Sequence, residues 1–366
     1  MTHRNATADD NQQTPPRDAA LIAAARQQAV ALDESNLTLE TTSRGNGFTA
    51  PPPDSFTGYR IIKEVHRGGQ GVVYQAINES TSRKVAIKVM RQGPFADAGD
   101  RARFDREVQI LAQLNHANIV SIHDRGTAAG CEYFVMDYVS GQPLDVYMAS
   151  GRRTIDDSLR LFLNICDAIN AAHLHGVIHR DIKPSNIRID AQGRPHILDF
   201  GLAKTTGSIG VPPVCSPSTG SVGVPPATGS VGVPPATGNV GVPPANPTPR
   251  TITGQFIGSL PWASPEQAEG SPSKIDIRTD VYSLGVVLYQ MLTGKFPYEV
   301  VGNMRDVLGR IINEAPQRPR AVRREMNDEV ETIILKCLAK EPDRRYQSAG
   351  ELAKDVDRYL TGEPIE

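Results

Sequence analysis

The chain has 366 residues, a length that suits one domain of about 250–300 residues with flanking segments better than two full domains. Its 39 lysines and arginines nearly balance its 41 aspartates and glutamates, so the net charge of −2 gives no support for a nucleic-acid partner. The four cysteines include no C-x-x-C pair, which argues against a metal knuckle and a disulfide framework and favours a reducing, cytoplasmic location. No run of 18 apolar residues occurs, so no membrane span is predicted.

Residues 1–55 are predicted to form a disordered N-terminal arm. Ala, Gln, Asp, Ser and Thr dominate this stretch, and the prolines 51–53 close it. Such a composition offers little apolar surface to bury. No function is assigned to the arm.

The folded region is predicted to start with a strand, a glycine-rich turn and a second strand. Residues 59–65 and 72–77 have strand composition, and glycines lie between them at positions 68, 69 and 71. A dinucleotide-binding motif or a P-loop would open a helix after its glycines, so a hairpin is favoured. Backbone N–H groups in such a hairpin can face phosphate oxygens, because no Cβ keeps them away. An ordinary hairpin remains the alternative.

Two charged residues follow in the next elements. A strand over residues 85–88 ends in Lys88, and a helix over residues 100–114 carries Glu107 beside its apolar stripe. The ordinary interpretations are a lysine on an exposed strand face and a solvated helix glutamate. Two more strands are predicted at 119–123 and 133–138.

The second half is predicted to begin with a helix that starts near Ser158 and stops at Gly176. We expect His173 and His175 to be hydrogen-bonded polar groups rather than metal ligands. After residues 179–186 comes a short hairpin with strands at 187–189 and 196–198, and then Asp199-Phe200-Gly201.

Two of these segments carry a family resemblance. Residues 179–186 read His-Arg-Asp-Ile-Lys-Pro-Ser-Asn and match H-R-D-x-x-x-x-N at every defined position, and D-F-G follows Asp181 by 18 residues. The chain therefore resembles the bacterial type of the eukaryotic-like (Hanks-type) serine/threonine protein kinases. The resemblance implies an α+β, two-lobed protein-kinase-like fold over residues 56–362, with a β-rich N-lobe at 56–138 and a mainly helical C-lobe at 139–362.

The resemblance also implies the catalytic residues, which are Asp181, Lys183, Asn186, Lys88 and Glu107. Asp181 would accept the proton of the substrate hydroxyl or orient its oxygen, and Lys183 would stabilise the transferring phosphoryl group. Asn186 and Asp199 would hold Mg²⁺, with Mn²⁺ as an alternative, through oxygen atoms. Lys88 would contact the α- and β-phosphates of ATP while Glu107 pairs with it.

The ATP site is inferred from the family loop G-x-G-x-x-G-x-V and from the segment that joins the lobes. Gly68, Gly71 and Val73 match the loop, whereas His66 stands in place of its first glycine and could alter how the loop closes. In the joining segment, backbone groups of residues 137 and 139 would bond the adenine edge. The implied ATP-binding residues are Val65, His66, Arg67, Gly68, Gly69, Gln70, Gly71, Val72, Val73, Ala86, Lys88, Met136, Asp137 and Val139.

The segment after D-F-G departs from the family. Residues 205–249 contain no Asp, Glu, Lys or Arg and repeat the unit Thr-Gly-Ser-Val-Gly-Val-Pro-Pro-Ala. We predict a disordered, low-complexity Pro/Gly insertion in the activation loop, since such a unit has little to bury. It is either a repeat expansion without a role or a regulatory segment. Beyond it, Thr251 and Thr253 are candidate phosphorylation sites, with phosphorylated Thr253 pairing with Arg180. Two unmodified loop threonines are the alternative.

Later motifs predict structural contacts. Ser264-Pro265-Glu266 resembles the A-P-E motif of the family, and Glu266 is expected to pair with Arg345. Asp280 is expected to cap the following central helix and to hydrogen-bond the catalytic-loop backbone. Further helices are predicted at 328–338 and 349–360.

The implied reaction transfers the γ-phosphate of ATP to Ser or Thr hydroxyls of proteins, including the activation loop of the chain itself. A transient homodimer would serve this autophosphorylation. One alternative is a pseudokinase scaffold that binds nucleotide without turnover, supported by His66 and the long insertion. Another is a small-molecule kinase, against which the peptide platform at 264–266 argues.

Overall fold

The computed structural model describes residues 50–68, 71–90, 109–151, 153–200 and 259–366. These residues form a β-rich lobe followed by a mainly helical lobe, each with its own apolar core, which confirms the predicted fold class. Several predictions lie outside the described residues: those for the arm up to residue 49, Gly69, Gln70, Glu107, the insertion at 205–249, Thr251 and Thr253.

The small lobe is one antiparallel sheet of five strands in the order β1-β2-β3-β5-β4. The strands are β1 (Tyr59–Gly68), β2 (Gly71–Asn78), β3 (Lys84–Met90), β4 (Ile122–Ala128) and β5 (Cys131–Asp137). Val72, Ile87 and Val135 pack with Phe56 in the core of this lobe. Gly68 lies opposite Gly71 in register, so β1 and β2 form the predicted hairpin.

The large lobe contains eight described α-helices and a small sheet of order β6-β7-β8. The helices are α1 (Leu144–Ala149), α2 (Ile155–Leu174), α3 (Pro265–Ala268), α4 (Ile277–Thr293), α5 (Met304–Asn313), α6 (Pro319–Val322), α7 (Asp328–Cys337) and α8 (Ala349–Thr361). The strands are β6 (Gly141–Pro143), β7 (Ile187–Asp190) and β8 (Pro195–Ile197).

The strand predicted at 119–123 is wrong in its bounds. β4 begins only at Ile122, while Ile119 forms an isolated parallel bridge with Ile197 of β8. The N–H of Val120 donates to the Ile197 carbonyl at 3.1 Å, and the N–H of Ile197 donates to the Asn118 carbonyl at 2.7 Å. These backbone hydrogen bonds therefore attach residues 118–120 to the hairpin of the large lobe instead of extending the sheet. Residues 109–113, just before them, are helical.

Helix ends follow capping chemistry. α2 begins earlier than predicted, because Thr154 and Asp157 form a capping box, and Gly176 follows it with φ of +76°. The prediction that Asp280 caps α4 is wrong. Asp276 is the cap and accepts from the N–H of Arg278 at 2.8 Å. Asp280 lies inside the first turns of α4, so its carboxylate is available to another segment.

The central helix α4 is almost wholly buried and packs against α2 and α7. Gly285 permits the close approach to α7, since a Cβ at this position would lie 2.5 Å from the Cβ of Cys337. Such a contact is too short for any side chain, so a glycine is required where the two helices cross.

Candidate active site

The loop of residues 179–186 is anchored from below by Asp280 of α4. Asp280 is fully buried and accepts from the N–H groups of His179 at 2.7 Å and Arg180 at 2.8 Å. Nε2 of His173 in α2 lies within hydrogen-bond distance of the same carboxylate, 2.9 Å from its Oδ2. Burial opposes the charge of this carboxylate, but the hydrogen bonds outweigh it, so the pKa of Asp280 lies below its ordinary value. The predicted bond to the catalytic-loop backbone is confirmed.

This anchor holds a backbone that would otherwise relax. Arg180 has φ of +62°, a left-handed conformation that costs a non-glycine residue about 1–3 kcal/mol. Gln267 of α3 donates its Nε2 to the Arg180 carbonyl at 2.8 Å, so both sides of the strained residue are held. The loop is therefore fixed by contacts from two helices.

His179 joins the catalytic loop to the segment that leads to Asp199. Its Nε2 lies 3.0 Å from the Leu198 carbonyl oxygen, which can only accept, so Nε2 carries the proton. Its Nδ1 accepts from the N–H of Asp181 at 3.3 Å. Burial lowers the pKa of His179 more than the neighbouring carboxylates raise it, which keeps the ring neutral. The ring also contacts Phe200, with centroids 4.8 Å apart.

The carboxylate of Asp181 lies among polar groups that aim it. Its Oδ1 accepts from the N–H of Ser259 at 3.2 Å, and its Oδ2 lies 3.2 Å from Nδ2 of Asn186 and 3.5 Å from Nζ of Lys183. Lys183 also donates to Oγ of Ser259. A carboxylate, an ammonium group and a hydroxyl thus converge at one point, an arrangement suited to holding a reacting hydroxyl.

Asn186 and Asp199 present oxygen atoms that fit a divalent cation. Nδ2 of Asn186 donates to both the carbonyl (2.9 Å) and Oδ2 of Asp181, which turns its Oδ1 away from that carboxylate. Asp199 has φ of +46° and pairs through Oδ1 with Nζ of Lys88 at 3.0 Å. Within the described ranges no cluster of three or more His, Cys, Asp or Glu could hold a metal by itself. Phosphate and water oxygens would therefore complete the shell, as Mg²⁺ prefers.

Lys88 is buried on β3, opposite Val73 of β2 and Phe134 of β5. The strand does not end at this lysine, as predicted, but continues to Met90. The pair with Glu107 lies outside the described residues and stays a prediction. The carboxylate that the structure places at 3.0 Å from Nζ of Lys88 is that of Asp199.

The other predicted nucleotide-binding residues line β1, β2, β3 and the segment after β5. Val65, His66, Arg67 and Gly68 lie in β1, Gly71, Val72 and Val73 in β2, Ala86 in β3, Met136 and Asp137 in β5, and Val139 in the following segment. Ala86 faces Met136 in register. A Cβ on Gly68 would lie 3.0 Å from Nε2 of His66, so the imidazole covers this glycine. Their contact with ATP stays a prediction.

The predicted pair of Glu266 and Arg345 is confirmed. Two parallel bonds of 2.9 Å join Nη1 to Oε1 and Nη2 to Oε2, and both side chains are buried. Thr279 of α4 donates to the same carboxylate at 2.7 Å. Burial alone would raise the pKa of Glu266, but its bonds to Arg345 lower it below the ordinary value. This pair fixes α3 to the segment before α8.

His173 is hydrogen-bonded as predicted, but sequence reasoning missed the positioning roles of His173 and Gln267. His173 lies on the apolar stripe of α2, and a buried imidazole needs a hydrogen-bond partner. Its position in the stripe could therefore have indicated a contact with another buried polar group. Gln267 directly follows the motif at 264–266 but belongs to no motif itself. Only the fold shows that its amide reaches Arg180.

Comparison with known proteins identifies the family. The profile described as the protein kinase domain matches residues 59–216 and 244–356. Serine/threonine-protein kinase PknB of Mycobacterium tuberculosis is 35% identical over 313 residues, 84% of this chain and 44% of the relative. A probable serine/threonine-protein kinase of Streptomyces coelicolor is 33% identical over 312 residues, 84% of this chain and 40% of the relative. The chain thus spans less than half the length of these curated relatives.

Solved structures agree on the fold. A crystal structure of the PknI kinase domain of Mycobacterium tuberculosis aligns with a TM-score of 0.59 and 21% identity, over 86% of this chain and 100% of that one. The described helices include none that is long and apolar enough to cross a membrane. A kinase places ATP and a divalent metal ion in its active site, and the oxygen donors of residues 186 and 199 fit that requirement. The chain belongs to the protein kinase domain family.

Proposed function

We propose that this chain is a serine/threonine protein kinase that transfers the γ-phosphate of ATP to Ser or Thr hydroxyls of proteins. The main observation in support of this proposal is the geometry around Asp181, whose carboxylate lies beside Lys183 and Ser259. The His179 ring connects this group to the segment that ends in the Lys88–Asp199 pair. In this arrangement the proposed proton acceptor, Asp181, and the proposed phosphate-binding pair, Lys88 and Asp199, are linked through the His179 ring.

In this proposal each side chain acts mainly by position and charge. Asp181 orients the acceptor hydroxyl and takes its proton, while Lys183 balances charge on the transferring group. Lys88 contacts the α- and β-phosphates and is held by Asp199. A Mg²⁺ ion, or Mn²⁺, would be held by Asn186 and Asp199, and would neutralise phosphate charge when bound. The hairpin of β1 and β2 covers the phosphates, and backbone groups at 137 and 139 hold the adenine.

We also assign regulation to Arg180. Its Nε is buried and has no hydrogen-bond partner among the described residues, so one donor is available for an anion. This supports the interpretation that phosphorylated Thr253, with or without Thr251, pairs with Arg180 after autophosphorylation in a transient homodimer. We place the kinase domain at 56–362 in a cytoplasmic protein, in keeping with the free, buried thiols of Cys131, Cys166 and Cys337.

The direct test measures transfer of radioactive phosphate from ATP to a generic protein substrate and to the chain itself. The wild-type chain should label both in the presence of Mg²⁺. Asp181→Asn should lose about 100-fold or more in rate while it still binds ATP, because the acceptor is misplaced but the phosphate site is intact. If the wild-type chain binds ATP but labels neither protein, the pseudokinase alternative is established. Mapping of the modified residues should find Thr251 or Thr253.

A further inference from the structure

A second charged site lies in the large lobe, away from the catalytic loop. The segment between α5 and α7 carries four arginines at positions 318, 320, 323 and 324, in a chain whose net charge is −2. Three of them, Arg318, Arg320 and Arg324, line a surface cavity of about 450 Å³ together with Ala321 and Glu331. Three guanidinium groups and one carboxylate thus line one open concavity.

The guanidinium groups around this cavity retain donors. Nε of Arg318 lies 3.9 Å from Oε1 of Glu331, and Nε of Arg320 lies 4.0 Å from its Oε2. Both distances exceed a hydrogen bond, and Oε2 of Glu331 has no hydrogen-bond partner among the described residues. The buried carboxylate of Glu331 therefore draws Arg318 and Arg320 to the cavity by charge and not through a hydrogen bond to these two nitrogens.

Acidic residues offset part of this charge, since Arg323 pairs with Glu325. Arg320 also pairs with Asp328 at the start of α7. Arg324 is exposed and has no ion pair or hydrogen bond in the part of the chain that the structure describes. The lining residues themselves comprise three arginines and the one carboxylate of Glu331, and each guanidinium has five N–H donors.

The segment that carries these arginines is held in place by buried anchors. Pro319 and Met326 are buried, and Arg323 donates Nη1 to the Leu292 carbonyl at the end of α4 at 3.1 Å. The N–H of Gln317 donates to the Pro297 carbonyl at 2.8 Å. Because the backbone is fixed, an anion would meet arginines already gathered at the surface, which reduces the ordering cost of binding.

We propose that this cavity binds the phosphate group of a phosphorylated segment of a protein. Three guanidinium groups around one cavity favour a dianion with many acceptor oxygens over a single carboxylate. The cavity is open and larger than one phosphate group, so a side chain that projects from a peptide can enter it. The proposal relies on the proposed function only for its source of ligand, since protein kinases generate phosphorylated Ser and Thr. The site would favour protein substrates that already carry a phosphate.

The test measures fluorescence anisotropy of a labelled phosphothreonine peptide and of the same peptide without phosphate. The wild-type chain should bind the phosphorylated form at least about tenfold more tightly. The double variant Arg318→Ala/Arg324→Ala should lose this preference, whereas the control Arg160→Ala, an exposed arginine of α2, should keep it. Phosphorylation of an unmodified peptide should stay within about twofold of wild type in all of them, because none of these residues touches the catalytic loop.

Two results would overturn the inference. One is equal affinity for the two peptides, or a preference that survives in the double variant. The other is displacement by inorganic phosphate at the same concentration as by phosphopeptide, which would indicate a free-anion site. Since the assay needs no turnover, a chain that binds the phosphopeptide but transfers no phosphate would refute the proposed function and leave this site standing.

Discussion

Replacing Asp280 tests whether the catalytic loop is held from below. In Asp280→Asn one oxygen can still accept, but the new NH₂ group faces at least one of the donors from His179, Arg180 and His173. Each hydrogen bond to a buried charged group contributes about 1.5–3 kcal/mol, so a loss of about 3–5 kcal/mol in unfolding free energy is expected. That is a large fraction of the total of about 5–15 kcal/mol for a domain.

The substitution should also reduce activity in the folded protein. Without its anchor, Arg180 can leave its conformation at φ of +62°, and Asp181 moves with it. A displacement of about 1 Å at a reacting group costs on the order of 100-fold in rate. Kinase activity should be measured well below the midpoint of thermal unfolding, with stability from urea denaturation.

Asp276→Ala is the matched control, because it removes the cap of the same helix and a partly exposed ion pair with Arg278 without touching the loop. It should cost about 1 kcal/mol in stability and leave the rate within about twofold. If Asp280→Asn were folded and fully active, or if both substitutions lowered activity equally, the anchoring argument would be wrong.

Three further predictions follow from the same structure. Glu266→Gln should lower the unfolding free energy, measured by urea denaturation, by about 3–5 kcal/mol, because Arg345 would keep a buried charge without a carboxylate. The double variant Glu266→Gln/Arg345→Met should recover part of the lost stability, and no recovery would contradict the argument. The folded-state pKa of His179 lies below the unfolded value of about 6.5, so the unfolded chain binds more protons than the folded chain as pH falls. The contribution of His179 to stability should therefore be complete above about pH 6.5 and decline below it. The decline should be less steep in His179→Phe. Asp199→Asn should abolish the metal dependence of ATP binding in calorimetry, whereas unchanged dependence would remove Asp199 from the metal site.

Much of the fold was predictable because its signals are local. The hairpin of β1 and β2, the helix α7 and the helix α8 follow from apolar spacing and turn residues within each segment. The errors fell where distant groups compete for the same residues. Ile119 looked like part of a strand but bridges to Ile197. Asp280 was predicted both to cap α4 and to bond the catalytic loop, and only the bond to the loop is present. Periodicity within a segment does not record such partners.

The sequence by itself determined the chemistry available to this protein. The order and spacing of Asp181, Asn186 and Asp199 belong to one motif set, and the resemblance carried by that set predicts a proton acceptor and two oxygen donors for a cation. Tertiary structure decided how those groups are held. Asp280 meets the loop across about 100 residues of chain, and the arginines at 318, 320 and 324 line one cavity only because α6 packs beside α7. Charge and hydrogen bonding depend on distance in space, which chain order does not state.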